Sequence, residues 1–259
     1  KKCLRATAIC IIHAEPTHDL VFPAKDTDEG VRPLSFSFGV ESRSNFILST
    51  CINKGTRAEE LVERAHMIRR KGFFLDGYVL LGKPFLSAQE DVEDAIETIH
   101  WASGLGAEYL FVMVTNRVAG SLADHLIACG RWSLPSLWRA VRLLEMLPPQ
   151  LRRLVQIKGI NHAPYPPMEY ATSCSRCRDQ VVQILNFWNQ TGDFEHIREL
   201  PVCACRERFE AEEWTEHSEH SLAYRLHESY VRLATDFSID PGLVPSLTLL
   251  DEMWREKHD

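Results

Sequence analysis

At 259 residues, with 45% hydrophobic and 25% charged side chains, the chain has an ordinary globular composition and length for one large core or two small ones, which excludes disordered and collagen-like classes. A formal charge of -7 excludes nucleic-acid binding by overall electrostatics, because phosphate recognition needs clustered Lys and Arg. No run reaches the roughly 20 apolar residues a membrane helix needs and no signal-peptide pattern opens the chain, so the expectation is a cytoplasmic protein without membrane contact.

The chain opens on Lys1-Lys-Cys-Leu-Arg5 without an initiator methionine, and the expectation is that it begins inside a longer protein. Ala8–Ile12 is an apolar stretch with strand character, and Pro16 to Pro33, with its aspartates and prolines, is expected to be loop. Leu34–Val40 alternates Phe36 and Phe38 with Ser35 and Ser37, the period of a strand. Thr56 with Glu59 forms a capping box, after which Leu61, Val62, Ala65 and Ile68 recur on one helical face until Gly72 stops the helix. Phe73–Leu81 is a second β-prone run. Ser87 with Glu90 forms another capping box and opens a helix expected to bury Val92, Ala95, Ile96 and Ile99. Tyr109–Val114 is a third strand, followed by a helix around Leu122 and Leu126, a turn at Gly130, and a helix through Leu137, Val141 and Leu144 that ends at Pro148-Pro149. Leu154–Ile157 is a fourth strand candidate.

Strands alternating with capped helices define parallel α/β architecture. Three or four such units do not complete an eight-stranded ring, and a parallel sheet with bare edges is prone to aggregate. The fold class expected is therefore α/β, a partial (β/α) barrel closed by further sequence, a partner or flanking segments. After Pro164-Tyr-Pro-Pro167 the character changes to cysteines, a helix through Val181, Ile184, Leu185 and Trp188, and a charged tail. The expected division is 1–163 for the barrel part and 164–259 for a Cys-rich metal-binding module with a charged helical tail. Two basic runs, Arg69-Arg70-Lys71 and Arg152, Arg153 with Lys158, are expected to be solvated helix ends or strand edges.

In parallel α/β folds functional groups gather where strands end, because that rim has backbone and side chains free of core packing. The strand ends here carry Gly39-Val40-Glu41-Ser42, Gly82-Lys83-Pro84 and Thr115-Asn116-Arg117. Glycine permits close backbone approach to a ligand, and the polar residues offer donors and acceptors.

At these residues the chain resembles the radical SAM family. The run Ser37-Phe-Gly-Val-Glu-Ser42, then Asn53-Lys-Gly-Thr56, then Gly77-Tyr-Val-Leu-Leu-Gly-Lys-Pro-Phe-Leu-Ser-Ala-Gln-Glu90 and Val114-Thr-Asn116 look like the later half of its barrel. The similarity points to the elongator-type and methylthiotransferase-like group, and within it to the archaeosine-synthase radical SAM subunit and its bacterial relatives. It covers roughly Leu34 to Leu147, with a further match in the cysteine tail. The resemblance implies that Glu41 and Ser42 face the ribose of S-adenosyl-L-methionine, Tyr78 to Lys83 line its adenine side, and Thr115 and Asn116 stand on the next rim, with Gly39 letting the cofactor approach the backbone. It further implies reductive cleavage of SAM to a 5'-deoxyadenosyl radical acting on a modified base in tRNA, and a partner subunit.

The chain departs from the family in one respect. Three thiolates in a C-x3-C-x2-C loop normally hold the 4Fe-4S cluster, and that spacing does not occur here. Cys3 and Cys10 do not match it, while Cys51 and Cys129 stand alone and are expected to be buried small hydrophobes. Either the cluster ligands lie in a preceding segment, or the chain is a cluster-less, zinc-stabilised scaffold relative that partners a catalytic subunit.

Cys174-Ser-Arg-Cys177 and Cys203-Ala-Cys205 form a signal independent of that resemblance. A C-x2-C hook with a second close pair supplies the four thiolates of a tetrahedral site, so structural zinc is the expected occupant, with an iron-sulfur cluster or ordinary redox cysteines as alternatives. His162, His196 and His217 are expected to be surface or hydrogen-bonded residues outside the ligand set. Glu210, Glu212, Glu213, Glu216 and Glu219 around Trp214 are expected to form a solvated face.

Overall fold

The computed structural model describes residues 35–161, 167–171, 173–214 and 220–255. The strand expected at Ala8–Ile12, the loop after it, Cys3, Cys10, His162 and His217 lie outside the described residues.

Four parallel strands lie in the order β1-β2-β3-β4. β1 (Ser35–Glu41) leads through a helical turn at Ile47–Cys51 into α1 (Ala58–Arg70), and β2 (Phe74–Leu81) into α2 (Ala88–Gly104). β3 (Tyr109–Val114) is followed by α3 (Leu122–Ala128), α4 (Leu137–Met146) and the single turn α5 (Pro149–Arg152). β4 (Val155–Lys158) precedes α6 (Arg178–Thr191), the short α7 (Glu195–Arg198) and α8 (Ala204–Arg208), and the chain continues into α9 (Leu222–Asp236) and α10 (Leu247–Arg255). Each unit thus adds the next neighbouring strand, the partial (β/α) barrel arrangement expected from the alternation. No helix among the described residues is long and apolar enough to cross a membrane.

The caps explain where helices begin. Ser87 Oγ accepts from the Glu90 N–H at 3.2 Å and the Glu90 carboxylate accepts from the Ser87 N–H at 2.8 Å, a reciprocal box that satisfies two orphan donors of α2. α1 begins later than its local sequence predicts. Its N-cap is Arg57 rather than Thr56, because the Asn45 side-chain carbonyl, from the preceding loop, accepts from the Ala58 N–H at 2.7 Å.

The two faces of the sheet differ in chemistry. On the outer face Val79, Leu81, Leu110, Val112, Val114, Val155 and Ile157 pack with α2, α4 and α6 in one core, whose large members include the fully buried Trp138, Leu143 and Leu144. At about 25 cal/mol per Å² of apolar surface removed from water, this layer is the main stabiliser of the domain. The segment after residue 167 contributes to the same core through Ala171, Cys177, Val181, Leu185, Trp188, Cys203 and Phe209. Strand alternation turns the other set of side chains to the inner face, where Ser37 stands opposite Asp76, and Gly39, Tyr78, Phe111 and Gln156 follow one another across the register.

The C-terminal helices form an arm over the β1 and β2 rim. Leu222, Ala223, Leu226 and Leu250 bury against Phe46, Ile47, Cys51 and Leu86, with Tyr230 and Trp254 at the margin. Arg225 Nη2 of α9 donates to both carboxylate oxygens of Glu90 at 2.6 and 2.7 Å while its Nη1 donates to the Phe85 carbonyl, and the Tyr230 hydroxyl donates to the Thr50 carbonyl.

Candidate metal centre and sheet rim

Each residue expected on the rim has a definite place. β1 ends in a register shift between Gly39 and Glu41, and Glu41 adopts the left-handed region at φ 60, a conformation unfavourable for a side chain. Its carboxylate takes Lys54 Nζ at 3.0 Å on the inner side. A Cβ on Gly39 would fall 2.6 Å from both Glu41 Oε1 and Lys54 Nζ, so glycine is what admits this ion pair. Tyr78 meets the Phe111 ring at 5.2 Å, and Lys158 Nζ lies 5.7 Å from the same ring. Lys158 is thus partly buried rather than the solvated strand edge expected, and burial pulls its ammonium below the usual lysine range. Burial likewise pushes the Asp76 carboxyl up, against hydrogen bonds from Ser35, the Tyr109 backbone and Ser37.

Several inner and rim atoms have no hydrogen-bond partner among the described residues: Thr115 Oγ1, Asp76 Oδ1, and both polar atoms of the Gln156 amide. Native interiors almost always pair such atoms, with protein or with ordered water, so these four mark where this face is open to further hydrogen bonds.

Ser42 and Lys83 are oriented differently from the other rim residues. Both are wholly buried and engage α2, which packs on the outer face. Ser42 Oγ donates to Asp94 Oδ1 at 2.8 Å, and Lys83 Nζ lies 3.1 Å from Asp91 and 3.2 Å from Asp94. Asp91 also accepts from the backbone N–H of Gly82 and Lys83 and pairs with Arg139 at 3.3 Å. Burial alone would pull the Lys83 ammonium down; the two aspartates outweigh it and leave it raised. The polar groups of these two residues are engaged inside the protein, where they lock the β1 and β2 ends to α2.

Asn116 connects the rim to the cysteines. Its side chain donates to the Gly159 carbonyl at 2.8 Å and accepts from the Ala171 N–H at 2.7 Å, while Arg117 and Glu169 form an antiparallel bridge. Residues 169 and 171, shortly before Cys174, are thereby stitched to the end of β3.

The four cysteines converge. Sγ separations are 3.6 Å for Cys174–Cys177, 3.4 Å for Cys174–Cys203 and Cys177–Cys205, and 3.5 Å for Cys203–Cys205. A tetrahedral zinc with Zn–S of about 2.3 Å sets its sulfurs roughly 3.8 Å apart, so this group has the dimensions of a single-ion site; thiolates on separate irons of a cluster stand further apart. Cys177 caps the N-terminus of α6 and Cys203 that of α8, so two positive helix ends face the thiolates. Hydrogen bonding, first from Cys203, lowers the Cys174 thiol to about 6, and burial pushes Cys177 up to about 12. One ligand has an outer partner that the sequence does not reveal: Trp138 Nε1–H points at Cys205 Sγ from 3.1 Å. Trp138→Phe keeps an aromatic side chain in the core but removes the donor with the pyrrole half of the indole, and is expected to weaken metal binding by about 10-fold to 100-fold in a chelator competition, with the fold intact by circular dichroism. Unchanged affinity would assign Trp138 to packing alone.

Of the solitary cysteines, Cys51 is buried as expected, but Cys129 is exposed at the end of α3. His196 lies against Phe187 and Glu199, away from the four cysteines.

A four-stranded βα half-barrel with a polar inner face and a four-cysteine group able to bind a metal ion is the class of protein that the fold and site define. Its relatives carry the resemblance further. The chain is 25% identical over 179 residues to archaeosine synthase subunit beta of Methanosarcina acetivorans, covering 68% of this chain and 50% of the relative. It is 27% identical over 178 residues to archaeosine synthase subunit beta of Thermococcus kodakarensis, covering 67% and 53%. The chain therefore spans about half the length of the curated relatives it matches, and the resemblance expected from the rim motifs holds. The archaeal Methanocaldococcus infernus Elp3 with an N-terminal deletion aligns with 60% of this chain and 36% of its own at 13% identity, with a TM-score of 0.44. No family model matches.

Proposed function

We propose that the chain forms the nucleoside-binding later part of a radical SAM-type barrel, steadied by a structural zinc, in a subunit that modifies a base in tRNA together with a partner subunit. The observation that carries this reading is the alignment with two archaeosine synthase beta subunits. None of the eight cysteines has the C-x3-C-x2-C spacing, so the family's usual set of ligands for the SAM-binding 4Fe-4S cluster is not in this stretch of sequence. When bound, SAM and the cluster would supply the radical; this chain's residues would bind, orient and shield.

In this reading Glu41 accepts from ribose hydroxyls, its position fixed by Lys54 and by the glycine at 39. Tyr78 and Phe111 offer a flat surface to a purine ring, and the unpartnered Thr115 hydroxyl supplies a hydrogen bond at the rim. Gly39 and Asn116 shape the rim, while Ser42 and Lys83 act from beneath it by holding the strand ends to α2. The division near residue 163 separates two chemistries, nucleoside and metal, that share one core.

The test is anaerobic reconstitution of the complete gene product with iron and sulfide, followed by assay for 5'-deoxyadenosine. Product is expected, and Glu41→Gln should weaken SAM binding by about 10-fold or more, the worth of one hydrogen bond to a charged group. Cluster absorbance without any 5'-deoxyadenosine would refute the enzymatic reading. A second reading is a cluster-less scaffold that binds SAM or a nucleotide without cleaving it; intact SAM recovered after tight binding is its signature.

A further inference from the structure

A second group of metal-ligating side chains lies away from the four cysteines, where α3 meets the end of α9. His125 and Cys129 are four residues apart, so they project from the same side of α3. Asp236, the last residue of α9, reaches them from 111 positions beyond His125. His125 Nε2 lies 2.8 Å from Asp236 Oδ2 and 3.6 Å from Cys129 Sγ, and the three donor atoms all lie within 4.8 Å of one another.

We propose that His125, Cys129 and Asp236 form a binding site for a divalent metal ion of the zinc class, with water as the fourth ligand. An imidazole, a thiolate and a carboxylate are the mixed donor set that such an ion accepts, and three protein ligands plus water is the open form of its tetrahedron. With bonds of about 2.0 to 2.3 Å, the ion would separate its donors by roughly 3.3 to 3.8 Å. The imidazole-to-sulfur distance already fits, and the imidazole-to-carboxylate distance opens by about half an ångström when the ion replaces the proton shared between them. On binding, the Cys129 thiol releases its proton to solvent as the metal–sulfur bond forms, and the proton on His125 Nε2 passes through solvent to Nδ1, which frees Nε2 for the metal–nitrogen bond.

The surroundings suit such a site. His125 and Asp236 are about one quarter exposed and Cys129 is exposed, so an ion has a path from solvent. Hydrogen bonds from His125 and Arg131 hold the Asp236 carboxyl below the usual carboxylate range, so it is ready as an anion. Arg131 bonds the Asp236 oxygen that faces His125 and also Cys129, so it orients two of the three ligating groups from outside the trio. Its positive charge also opposes a cation nearby, which makes this the weaker of the two metal sites. An ion here would pin the C-terminal end of α9 to α3, while Arg225 fixes the other end of the same helix to Glu90.

The test is zinc titration of the whole chain against a chromophoric chelator, comparing wild type with His125→Ala, Cys129→Ser, Asp236→Asn and Cys174→Ser. Wild type is expected to bind two equivalents and each of the first three variants only one, the tighter equivalent remaining. Cobalt at the weaker site should show a thiolate charge-transfer band that Cys129→Ser removes. A wild type holding only an ion that Cys174→Ser abolishes, or a second equivalent that survives Cys129→Ser, overturns the proposal. A chain with no ion at Cys174 that still loses one in Cys129→Ser would sink the four-cysteine reading and support this one.

Discussion

Lys83→Met is expected to destabilise the protein by about 3–5 kcal/mol, because it removes the central cation from a fully buried ion network and leaves two carboxylates behind. Lys83 has no solvent exposure, and its partners Asp91 and Asp94 are equally enclosed. Arg139 remains near Asp91, but Asp94 keeps only Ser42 as a side-chain donor. The intact network need not stabilise more than an apolar replacement of all its members would; the large loss comes from breaking it on one side only. The raised Lys83 pKa sets the sign of the pH dependence. Its contribution is fully present below the unfolded lysine value of about 10.4 and is lost as pH rises through the folded value, so wild type and Lys83→Met should converge in strongly alkaline buffer. Urea unfolding followed by circular dichroism measures the loss. Arg64→Met, at the half-exposed pair with Glu60 on α1, should stay within about 1 kcal/mol. A similarly small effect at Lys83 would mean that water enters the site and solvates both aspartates.

The same network marks where sequence patterns stop being informative. Strand and helix positions are legible where period and caps agree, as at Tyr109–Val114 and the Ser87–Glu90 box, because both signals are local. Rim positions follow from strand ends, so Glu41, Lys83 and Thr115 can be found without coordinates. Their directions cannot, since Lys83 turns under α2 to meet Asp91 and Asp94, and an amphipathic helix pattern does not tell a buried aspartate face from a solvated one. The start of α1 is displaced for a similar reason: Asn45 caps it from another loop. The four cysteines are legible from spacing alone, whereas Trp138 looks like any core indole until its N–H is seen on Cys205. Cys129 runs the other way. Cysteine is usually buried, and only the tertiary position of α9 shows that this one stands open beside a histidine and an aspartate.

Removing the metal from the four-cysteine centre should have the largest effect of all. Structural zinc contributes on the order of 10 kcal/mol of apparent folding free energy in small modules, comparable to the 5–15 kcal/mol by which whole domains are stable. Here the loss would not stay local. Cys177 and Cys203 are buried in the core that includes Val181, Leu185 and Leu144, and Asn116 and Trp138 tie the centre to β3 and α4. Without the ion the four thiols lose the bonds that tie Cys174 and Cys177 to Cys203 and Cys205 beside that core, so α6 to α8 should open first and expose the outer face of β4. Hydrogen exchange after chelation is therefore expected to show protection lost by 100-fold or more, a few kcal/mol of local stability, across residues 174–214, with a smaller loss in β4 and little change in β1 and β2. Cys174→Ser and Cys203→Ser should each reproduce that pattern and lower bound metal by about one equivalent, since either opens a four-ligand site. Chelated protein with unchanged exchange in α6 to α8, or variants with undiminished metal, would show that the converging thiols are merely packed and hold no ion.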